Sequence, residues 1–317
     1  TATLPEGHGY QVGQSVSVTT ATGATVANFT LTGVTSNSIT YTDGTASSSG
    51  LFAVQANSGT TKMVTFNNLS VGSEILTITG GNAYGVAFGG TTTLLGNAFI
   101  NNTTDVVLGG AQGVTGMANS IVSDGGQVLI NKINTGTLWV HSTNNNLTGP
   151  TYINSGLLAF GNRAVGNTTA TLGTGDIFVN PGAAIQVRAA TNINTGLGQQ
   201  VVLTGTQYSP AVLRSTFDIT QAQLAAMVAS PTVTSATQHS VFALEGNLTQ
   251  SYNMSTVGNG RLFLGASGDR SYTGAALSPG LPNIANAVVG GGSTNPVHRF
   301  THISGNTLTI NLAGAAN

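Results

Sequence analysis

The stretch NNNLTGPTYINSGLLAFGN, from Asn144 to Asn162, decides the fold of this chain. Thr151 and Ile153 stand two residues apart, as do Leu158 and Phe160, and the triplet Asn-Ser-Gly separates the two pairs. Alternating apolar residues on either side of an Asn/Gly break are typical of two strands joined by a tight turn. The stretch therefore predicts a short strand, a turn and a second short strand.

The same unit recurs on both sides of this stretch. GGQVLINKINTGTLWV precedes it and GDIFVNPGAAIQV follows it, and each contains a strand pattern, an Asn with a Gly two residues later, and a second strand pattern. A unit this short cannot bury its own apolar face, so it must stack on its neighbours. The repeats, between about Asp124 and Ala190, predict a solenoid with one continuous core.

Three segments resemble a known family, the autotransporter-associated β-strand repeat. They are LTGPTYINSGLL from Leu147 to Leu158, LGTGDI from Leu172 to Ile177 and NPGA from Asn180 to Ala183. The chain departs from the commonest form of the repeat at Pro150, where a second Gly is usual. The resemblance implies a right-handed parallel β-helix displayed outside bacterial cells, and it carries over no catalytic residue.

The alternation divides the chain into two parts. Residues 1–49 predict a small antiparallel β module, because Val16, Val18, Phe29 and Leu31 alternate with polar residues between Gly and Asn breaks. The module resembles short β modules of phage tails and bacterial surface proteins. A linker is expected at 45–50. Residues 50–317, which contain further strand patterns, are assigned to the parallel β-helix.

One short helix is expected to interrupt the solenoid at about 218–230. Ile219, Leu224, Met227 and Val228 have helical spacing, with Asp218 or Thr220 as the N-cap and Pro231 as the stop. The favoured interpretation is a side excursion whose apolar face packs on the stack. A helix that plugs an end of the core or binds a partner is the alternative.

The composition limits the classes of function. Only 5% of the 317 residues are charged and the net charge is −1, which excludes the basic surface that nucleic-acid binding needs. Weak charge on a β-rich chain favours self-association. The chain has no Cys, and no apolar run reaches the length that spans a bilayer. The start at Thr1 suggests a mature or excised segment of a longer protein.

The acidic residues do not predict an active site. Polysaccharide-cleaving enzymes need two carboxylates that flank one bond. Asp124 and Asp176 could align on neighbouring rungs, but each lies beside a Gly, where Asp commonly serves a turn. No sequence pattern of a phosphate-binding loop, dinucleotide site or nucleophile elbow occurs. We therefore assign no catalytic residue and no cofactor, and we expect a protein that is not an enzyme.

The metal-binding patterns are equally weak. His298 and His302 would share one face of a strand, yet no third ligand accompanies them, so solvated or hydrogen-bonded histidines are the preferred interpretation. A structural calcium ion on Asp43 or Asp269 remains open, although no calcium-binding loop occurs. No metal-binding residue is assigned.

Two further features concern carbohydrate. Asn-x-Ser/Thr sequences occur at Asn28, Asn68, Asn102, Asn146, Asn167, Asn247 and Asn253, and chance accounts for most of them in a chain so rich in Asn and Thr. Trp139 is the single Trp, and a sugar-stacking platform usually needs several aromatic residues. Trp139 is as well explained as a residue of the core or of the edge of the stack.

The sequence thus predicts an extracellular or cell-surface structural protein, a self-associating subunit or segment of a fibre, coat or stalk. Its expected partners are copies of itself or adjoining segments of a longer chain, with no nucleic acid and no membrane span in this segment. Two alternatives stay open. One is an adhesin passenger domain that contacts host or neighbouring cells, and the other is a polysaccharide-active β-helix or phage-tail depolymerase segment.

Overall fold

The computed structural model describes residues 2–3, 12, 15–20, 25–35, 38–41, 52–56, 62–80, 84–110, 121–123, 130–142, 147–161, 170–206, 209–228, 240–260, 262–274, 276–278 and 307–310. The chain divides into two compact units. One contains Thr1–Val64 and Thr79–Gly85, and the other contains Thr65–Ile78 and Val86–Asn317. The expected linker at 45–50 and Pro231 lie outside the described residues.

The N-terminal unit contains an antiparallel sheet, as the sequence predicts. Its strands are β1 (Ala2–Thr3), β2 (Ser15–Thr20), β3 (Thr25–Val34), β4 (Ser38–Tyr41) and β5 (Phe52–Ala56), in the order β1-β4-β3-β2-β5. Strand β5 pairs with β2, so this sheet extends beyond residue 49 into a segment that the sequence assigned to the solenoid. Alternation predicts a strand but does not show which sheet the strand joins.

The second unit is a parallel β-solenoid, and this confirms the predicted class of fold. Its longest sheet has nine strands, β6 (Lys62–Phe66), β9 (Tyr84–Phe88), β12 (Val106–Leu108), β15 (Thr137–Val140), β17 (Gly156–Phe160), β19 (Ala183–Val187), β21 (Ala211–Ser215), β22 (Ser240–Leu244) and β24 (Leu262–Ala266). The six-stranded sheet contains β8 (Ile75–Ile78), β11 (Ala98–Asn102), β14 (Ile130–Ile133), β16 (Thr151–Ile153), β18 (Ile177–Val179) and β20 (Val201–Leu203).

The smaller elements complete the rungs. A three-stranded sheet contains β7 (Leu69–Val71), β10 (Thr92–Leu94) and β13 (Ile121–Ser123), and two further pairs are β23 (Tyr252–Asn253) with β26 (Leu277–Ser278) and β25 (Arg270–Tyr272) with β27 (Leu308–Ile310). There is one described α-helix, α1 (Gln221–Met227). The described 3-10 helices are Ala190–Asn192, Thr195–Leu197, Met254–Thr256 and Gly258–Gly260. In the later rungs, stacked loops occupy the side of the solenoid that the three-stranded sheet forms in the earlier rungs. The amide of Thr174, for example, donates to the carbonyl of Leu147 at 2.8 Å.

The register aligns the three sequence repeats rung by rung. The first strand of each repeat enters the six-stranded sheet and the second enters the nine-stranded sheet. Leu138 pairs with Leu158 and Leu158 with Ile185, and all three are fully buried. Paired residues of successive rungs are 20 to 32 residues apart, as in Leu138–Leu158 and Val106–Leu138, which is within the usual range of repeat proteins. The inward side chains of the rungs form one core along the stack.

The predicted helix is present, but it is part of the solenoid wall. Leu224 and Met227 are buried in the same core as the strands, and Val228 forms a parallel bridge with Val201 of β20. Helix α1 thus fills one side of a rung between β21 and that bridge. The apolar face of the helix packs on the stack, as expected. Helical spacing identifies this buried face but does not show where the helix sits in the rung.

Candidate functional site

Three carboxylates among the described residues form hydrogen bonds from one rung to the next. Asp176 accepts a hydrogen bond from the amide of Gln200 at 2.9 Å, Asp218 from the amide of Thr249 at 2.9 Å, and Asp269 from the amide of Thr307 at 2.8 Å. These contacts pair a side chain on one rung with the backbone of the following rung. We call them rung clamps. In each of the three Asp residues, one carboxylate oxygen is therefore bonded to the next rung.

The clamp at Asp218 is the most extensive of the three. Its carboxylate also accepts bonds from the Thr249 hydroxyl at 2.5 Å and from the Gln250 amide nitrogen at 3.2 Å. Burial pushes the pKa of Asp218 upward, but the hydrogen bonds from Thr249 and Gln250 outweigh burial and hold that pKa below its ordinary value. A carboxylate stabilised in its ionised form is a poor general acid at neutral pH.

The remaining candidate ligands and acids lie outside the described residues. These are Asp43, Asp124, His298 and His302. Among the described residues, no three His, Cys, Asp or Glu side chains are grouped as a metal ion would require. The suggested alignment of Asp124 with Asp176 stays a hypothesis.

Described sequons take part in the fold. Asn102 is fully buried, and its side-chain amide donates to the carbonyls of Thr104 and Thr137 at 2.7 and 3.0 Å, so a glycan does not fit on it. Asn68 and Asn247 are exposed but act as rung clamps, accepting from the amides of Thr91 and Ser271. Asn253 is exposed and accepts from the amide of Ser255, and the side chains of Asn28, Asn146 and Asn167 are not described.

Trp139 lies on the outer face of the nine-stranded sheet, close to Arg188. Its neighbours Leu138 and Val140 face the core, so alternation turns the indole outward, although only 9% of the residue is exposed. The guanidinium carbon of Arg188 is 6.0 Å from the centre of the indole ring. An indole covered in this way does not present a free ring face to a sugar, so Trp139 is a residue of the sheet exterior.

The same side of the sheet holds an ion pair. Arg214 Nη1 lies 3.1 Å from Glu245 Oε1, and the Gln186 side-chain amide donates to Glu245 Oε2. Arg270 Nε donates to the Glu245 carbonyl oxygen at 2.6 Å. Both carboxylate oxygens of Glu245 are therefore bonded, which suits a structural carboxylate better than a catalytic base.

A lysine occupies a core position in the six-stranded sheet. Lys132 pairs with Ile100 on one side and Ile153 on the other, and the side chain is fully buried. Its ammonium donates to the carbonyls of Ile133, Asn134 and Ser155 at 2.8, 2.6 and 3.3 Å. Burial lowers the pKa of Lys132 from its ordinary 10.5 to about 8. Carbonyl dipoles stabilise the ammonium only in part.

The turn around this lysine needs a glycine at residue 156. Gly156 has φ +74°, and a Cβ there would lie 2.3 Å from the carbonyl oxygen of Asn134 and 2.9 Å from Lys132 Nζ. A side chain would therefore be strained and would also crowd the ammonium. The Asn/Gly signature of the repeat thus leaves room for the bonds between rungs.

His141 is a second buried ionisable group. The side chain is fully buried, and neither ring nitrogen has a hydrogen-bond partner among the described residues. A Cβ on Gly110 of the preceding rung would lie 1.9 Å from the ring nitrogen Nδ1. Burial lowers the pKa of His141, so the imidazole is neutral at pH 7. We therefore interpret His141 as a packing residue.

The outer face of the six-stranded sheet carries two columns of side chains, which we call the ladder face. Ile100, Ile153 and Val179 point into the core, so the residues on either side of them point outward. The register defines a mainly apolar column, whose described side chains are Ile75, Phe99, Tyr152, Phe178 and Val202. Register and hydrogen bonds between rungs define a mainly polar column of Thr77, Asn101, Ile133, Asn154, Asn180 and Thr204.

The apolar column contains stacked rings. The centres of Tyr152 and Phe178 are 4.9 Å apart with 18° between the ring planes, close to the spacing of neighbouring strands. The described members of the column are half-buried or exposed, and Ile75 is 57% exposed. The described side chains of this column are therefore partly exposed and mainly apolar.

The polar column is bonded along the stack. Asn180 donates to Asn154 at 2.5 Å and accepts from the Thr204 hydroxyl at 2.9 Å, while Asn101 donates to the Thr77 hydroxyl at 3.3 Å. None of the eleven described residues of the ladder face is Asp, Glu, Lys or Arg. This face was not among the predicted sites, although the alignment of the repeats places Tyr152 above Phe178 and Asn154 above Asn180.

No family model, curated protein or solved structure matches this chain at a significant level. Among the described residues, no helix is long and apolar enough to cross a membrane. The fold and the arrangement of its side chains therefore provide the grounds for a functional proposal.

Proposed function

We propose that this chain is an extracellular or bacterial cell-surface structural protein, a segment of a fibre, coat or stalk that associates with copies of itself or continues along a longer chain. The observation that carries the proposal is that polar side chains among the described residues form hydrogen bonds between neighbouring rungs. Asp176, Asp218 and Asp269 clamp neighbouring rungs, and Asn154 and Asn180 bond to each other along the stack. Such bonds favour a long, stable stack.

The low charge supports the same proposal. With 5% charged residues and a net charge of −1, copies of the chain repel one another weakly. Asn and Thr side chains keep the outer surface hydrated without charge. The resemblance of Leu147–Leu158 to a bacterial surface repeat agrees with an external location.

Cleavage of polysaccharide is less well supported. A glycoside hydrolase needs an acid and a base that flank one bond, whereas Asp176, Asp218 and Asp269 are used as clamps. An assay for reducing ends released from bacterial and plant polysaccharides would test this alternative directly.

Two measurements test the proposed function. Sedimentation velocity over a concentration series, with negative-stain imaging of the same samples, should show rods or associated particles whose proportion rises with concentration. Protease treatment of intact source cells should cleave the protein, while a cytosolic protein of the same cells stays intact. Discrete globular monomers at every concentration, or full protection until lysis, would contradict the proposal.

A further inference from the structure

We propose that His141 makes one corner of the solenoid sensitive to acid, because the corner closes around the neutral imidazole but not around its protonated form. His141 directly follows β15, at the point where the chain leaves the nine-stranded sheet. Its side chain is fully buried. Protonation therefore selects a conformation in which the contacts between this corner and the neighbouring rungs are open.

The corner is bonded to the rung on either side of it. The amide of His141 donates to the carbonyl of Leu108 in the preceding rung at 2.9 Å. The amide of Gly161 in the following rung donates to the carbonyl of Val140 at 2.8 Å. A change at His141 therefore acts directly on the contacts with both neighbouring rungs.

The imidazole ring lies against the backbone of the preceding rung. A Cβ on Gly110 would lie 1.9 Å from Nδ1 and 2.7 Å from Cγ of His141. Both ring nitrogens are buried, and neither has a hydrogen-bond partner among the described residues. Protonation would add a positive charge and a second buried N–H donor without an acceptor in this part of the chain, and both changes disfavour the closed corner.

The charges on the surrounding elements do not favour an imidazolium. Strand β15 and its partners β12 and β17 contain no acidic residue, and Asp105 lies at the opposite end of β12 from Gly110. Arg188 is positive, and its guanidinium carbon is 6.0 Å from the centre of the ring of Trp139, two residues before His141. Burial lowers the pKa of His141 from its ordinary 6.5.

The linkage between protonation and opening sets the size of the effect. In the open form the imidazole is hydrated and binds a proton at its ordinary pKa of about 6.5, whereas the closed form binds a proton only at lower pH. As pH falls below about 6.5, the ratio of open to closed form therefore rises by up to about tenfold for each pH unit, until the pKa of the closed form is reached. Because each rung of a stack contacts only its neighbours, the opening is local.

The experiment compares amide hydrogen exchange in wild type and His141→Asn between about pH 7.5 and 5, where circular dichroism shows both proteins to be folded. Asn stays neutral throughout this range. The ratio of the two exchange rates at each pH removes the pH dependence of the chemical exchange step. His239→Asn is the matched control, because it removes a histidine elsewhere in the chain. His141→Leu replaces His141→Asn if that variant does not fold, and NMR titration of the His141 imidazole in wild type needs no variant.

Exchange at the amides of His141 and Gly161 should rise in wild type relative to His141→Asn, by up to about tenfold for each pH unit below about 6.5. The amides of β21 (Ala211–Ser215) should show no such rise, and His239→Asn should behave as wild type. The imidazole of His141 should stay neutral in the folded wild type at pH 6.

Four results would overturn the inference. An exchange ratio that does not change with pH would show that His141 does not control the corner. A rise of equal size in β21 would assign the acid response to unfolding of the whole solenoid. Loss of the response in His239→Asn would assign it to another histidine. An imidazole of His141 that titrates at its ordinary pKa in the folded protein would show that the closed corner accepts the charge.

Discussion

At Lys132, hydrogen bonds to backbone carbonyls offset only part of the cost of burying a charged group in the core. Its column is otherwise aliphatic, with Ile100 and Ile153 as the paired residues, and its stem fills the same space. In the folded chain the ammonium donates hydrogen bonds to three backbone carbonyls in place of water. The lowered pKa shows that this replacement is incomplete, because the charged form is less stable in the fold than in water.

We predict that the stability of the protein relative to Lys132→Met rises with pH between about 8 and 10.5. In this range the unfolded lysine binds a proton that the folded lysine has released, so the unfolded state binds more protons and unfolding becomes less favourable as pH rises. Below pH 8 both states are protonated and the cost of burying the charge is fully present. Urea unfolding of both proteins from pH 7 to 10.5 measures the difference.

Lys132→Met is the control for every other group that titrates in this range. It keeps an unbranched apolar stem but has no proton to release. A difference in unfolding free energy that is flat from pH 8 to 10.5, or that moves in favour of Lys132→Met, would contradict the assignment of Lys132 as a buried ammonium.

Gly110 provides a prediction about packing. A Cβ at Gly110 would lie 1.9 Å from Nδ1 of the fully buried His141, so Gly110→Ala should destabilise the protein by about 1 to 3 kcal/mol. Gly72→Ala is the matched control, because nothing lies within 4 Å of a Cβ there. Its effect should stay within about 0.5 kcal/mol. Unfolding by urea measures both changes.

A double variant separates the clash from other effects of the new methyl group. Adding His141→Ala to Gly110→Ala removes the ring that the methyl group meets, so the two substitutions should cost less together than the sum of their separate effects. Strict additivity would show that His141 is not the neighbour that excludes a side chain at Gly110.

At the scale of elements, helix α1 illustrates how local signals and tertiary position differ. The Thr220 hydroxyl accepts from the amide of Gln223 at 3.3 Å, and the Gln223 side chain accepts from the amide of Thr220 at 2.9 Å. This reciprocal pair is a capping box, and it starts the helix at Thr220, one of the two candidate N-caps in the sequence. Asp218, the other candidate cap, instead clamps Thr249 of another rung.

Replacing this cap should destabilise the protein moderately. We expect Thr220→Ala to cost about 1 kcal/mol of unfolding free energy, because the amide of Gln223 loses its acceptor. Thr220→Ser keeps the hydroxyl and should stay close to wild type. Denaturant unfolding of the three proteins measures the effect, and equal stability of the Ala and Ser variants would show that the capping box contributes nothing.

The solenoid could be predicted because its signal is repeated. Thr151–Ile153 and Ile177–Val179 follow the same pattern, and both entered the six-stranded sheet in register. Strand Phe52–Ala56 has the same kind of alternation, but it joined the N-terminal sheet. Pairing partners depend on contacts between distant residues, which a local pattern does not contain.

The side-chain features were harder to predict for the same reason. Lys132 would ordinarily be placed on the outside of a strand, and only its alignment with Ile153 and Val179 shows that it occupies an inward column. Asp176 beside Gly175 suggested a turn, whereas its partner is an amide one rung away. Contacts between rungs become visible only when the repeats are aligned with the correct offset.

At the scale of the whole molecule, the apolar core and backbone hydrogen bonds join the rungs along the stack, and the carboxylate clamps of Asp176, Asp218 and Asp269 add to them. Among the described residues, Arg214 and Glu245 form an ion pair, whereas the core and the bonds between rungs extend along the stack. Salt screens exposed charges but has little effect on buried apolar contacts and backbone hydrogen bonds. The stability of the solenoid should therefore depend weakly on ionic strength.

We predict that raising NaCl from about 0.05 to 1 M changes the thermal midpoint by less than about 2 °C. Glu245→Gln removes the negative charge of the Arg214 pair and should show the same weak dependence, since a partly exposed pair of this kind contributes about 1 kcal/mol. Scanning calorimetry of both proteins over a salt series is the measurement. A steep salt dependence in wild type that Glu245→Gln abolishes would mean that this pair stabilises the stack far more than the rung clamps do.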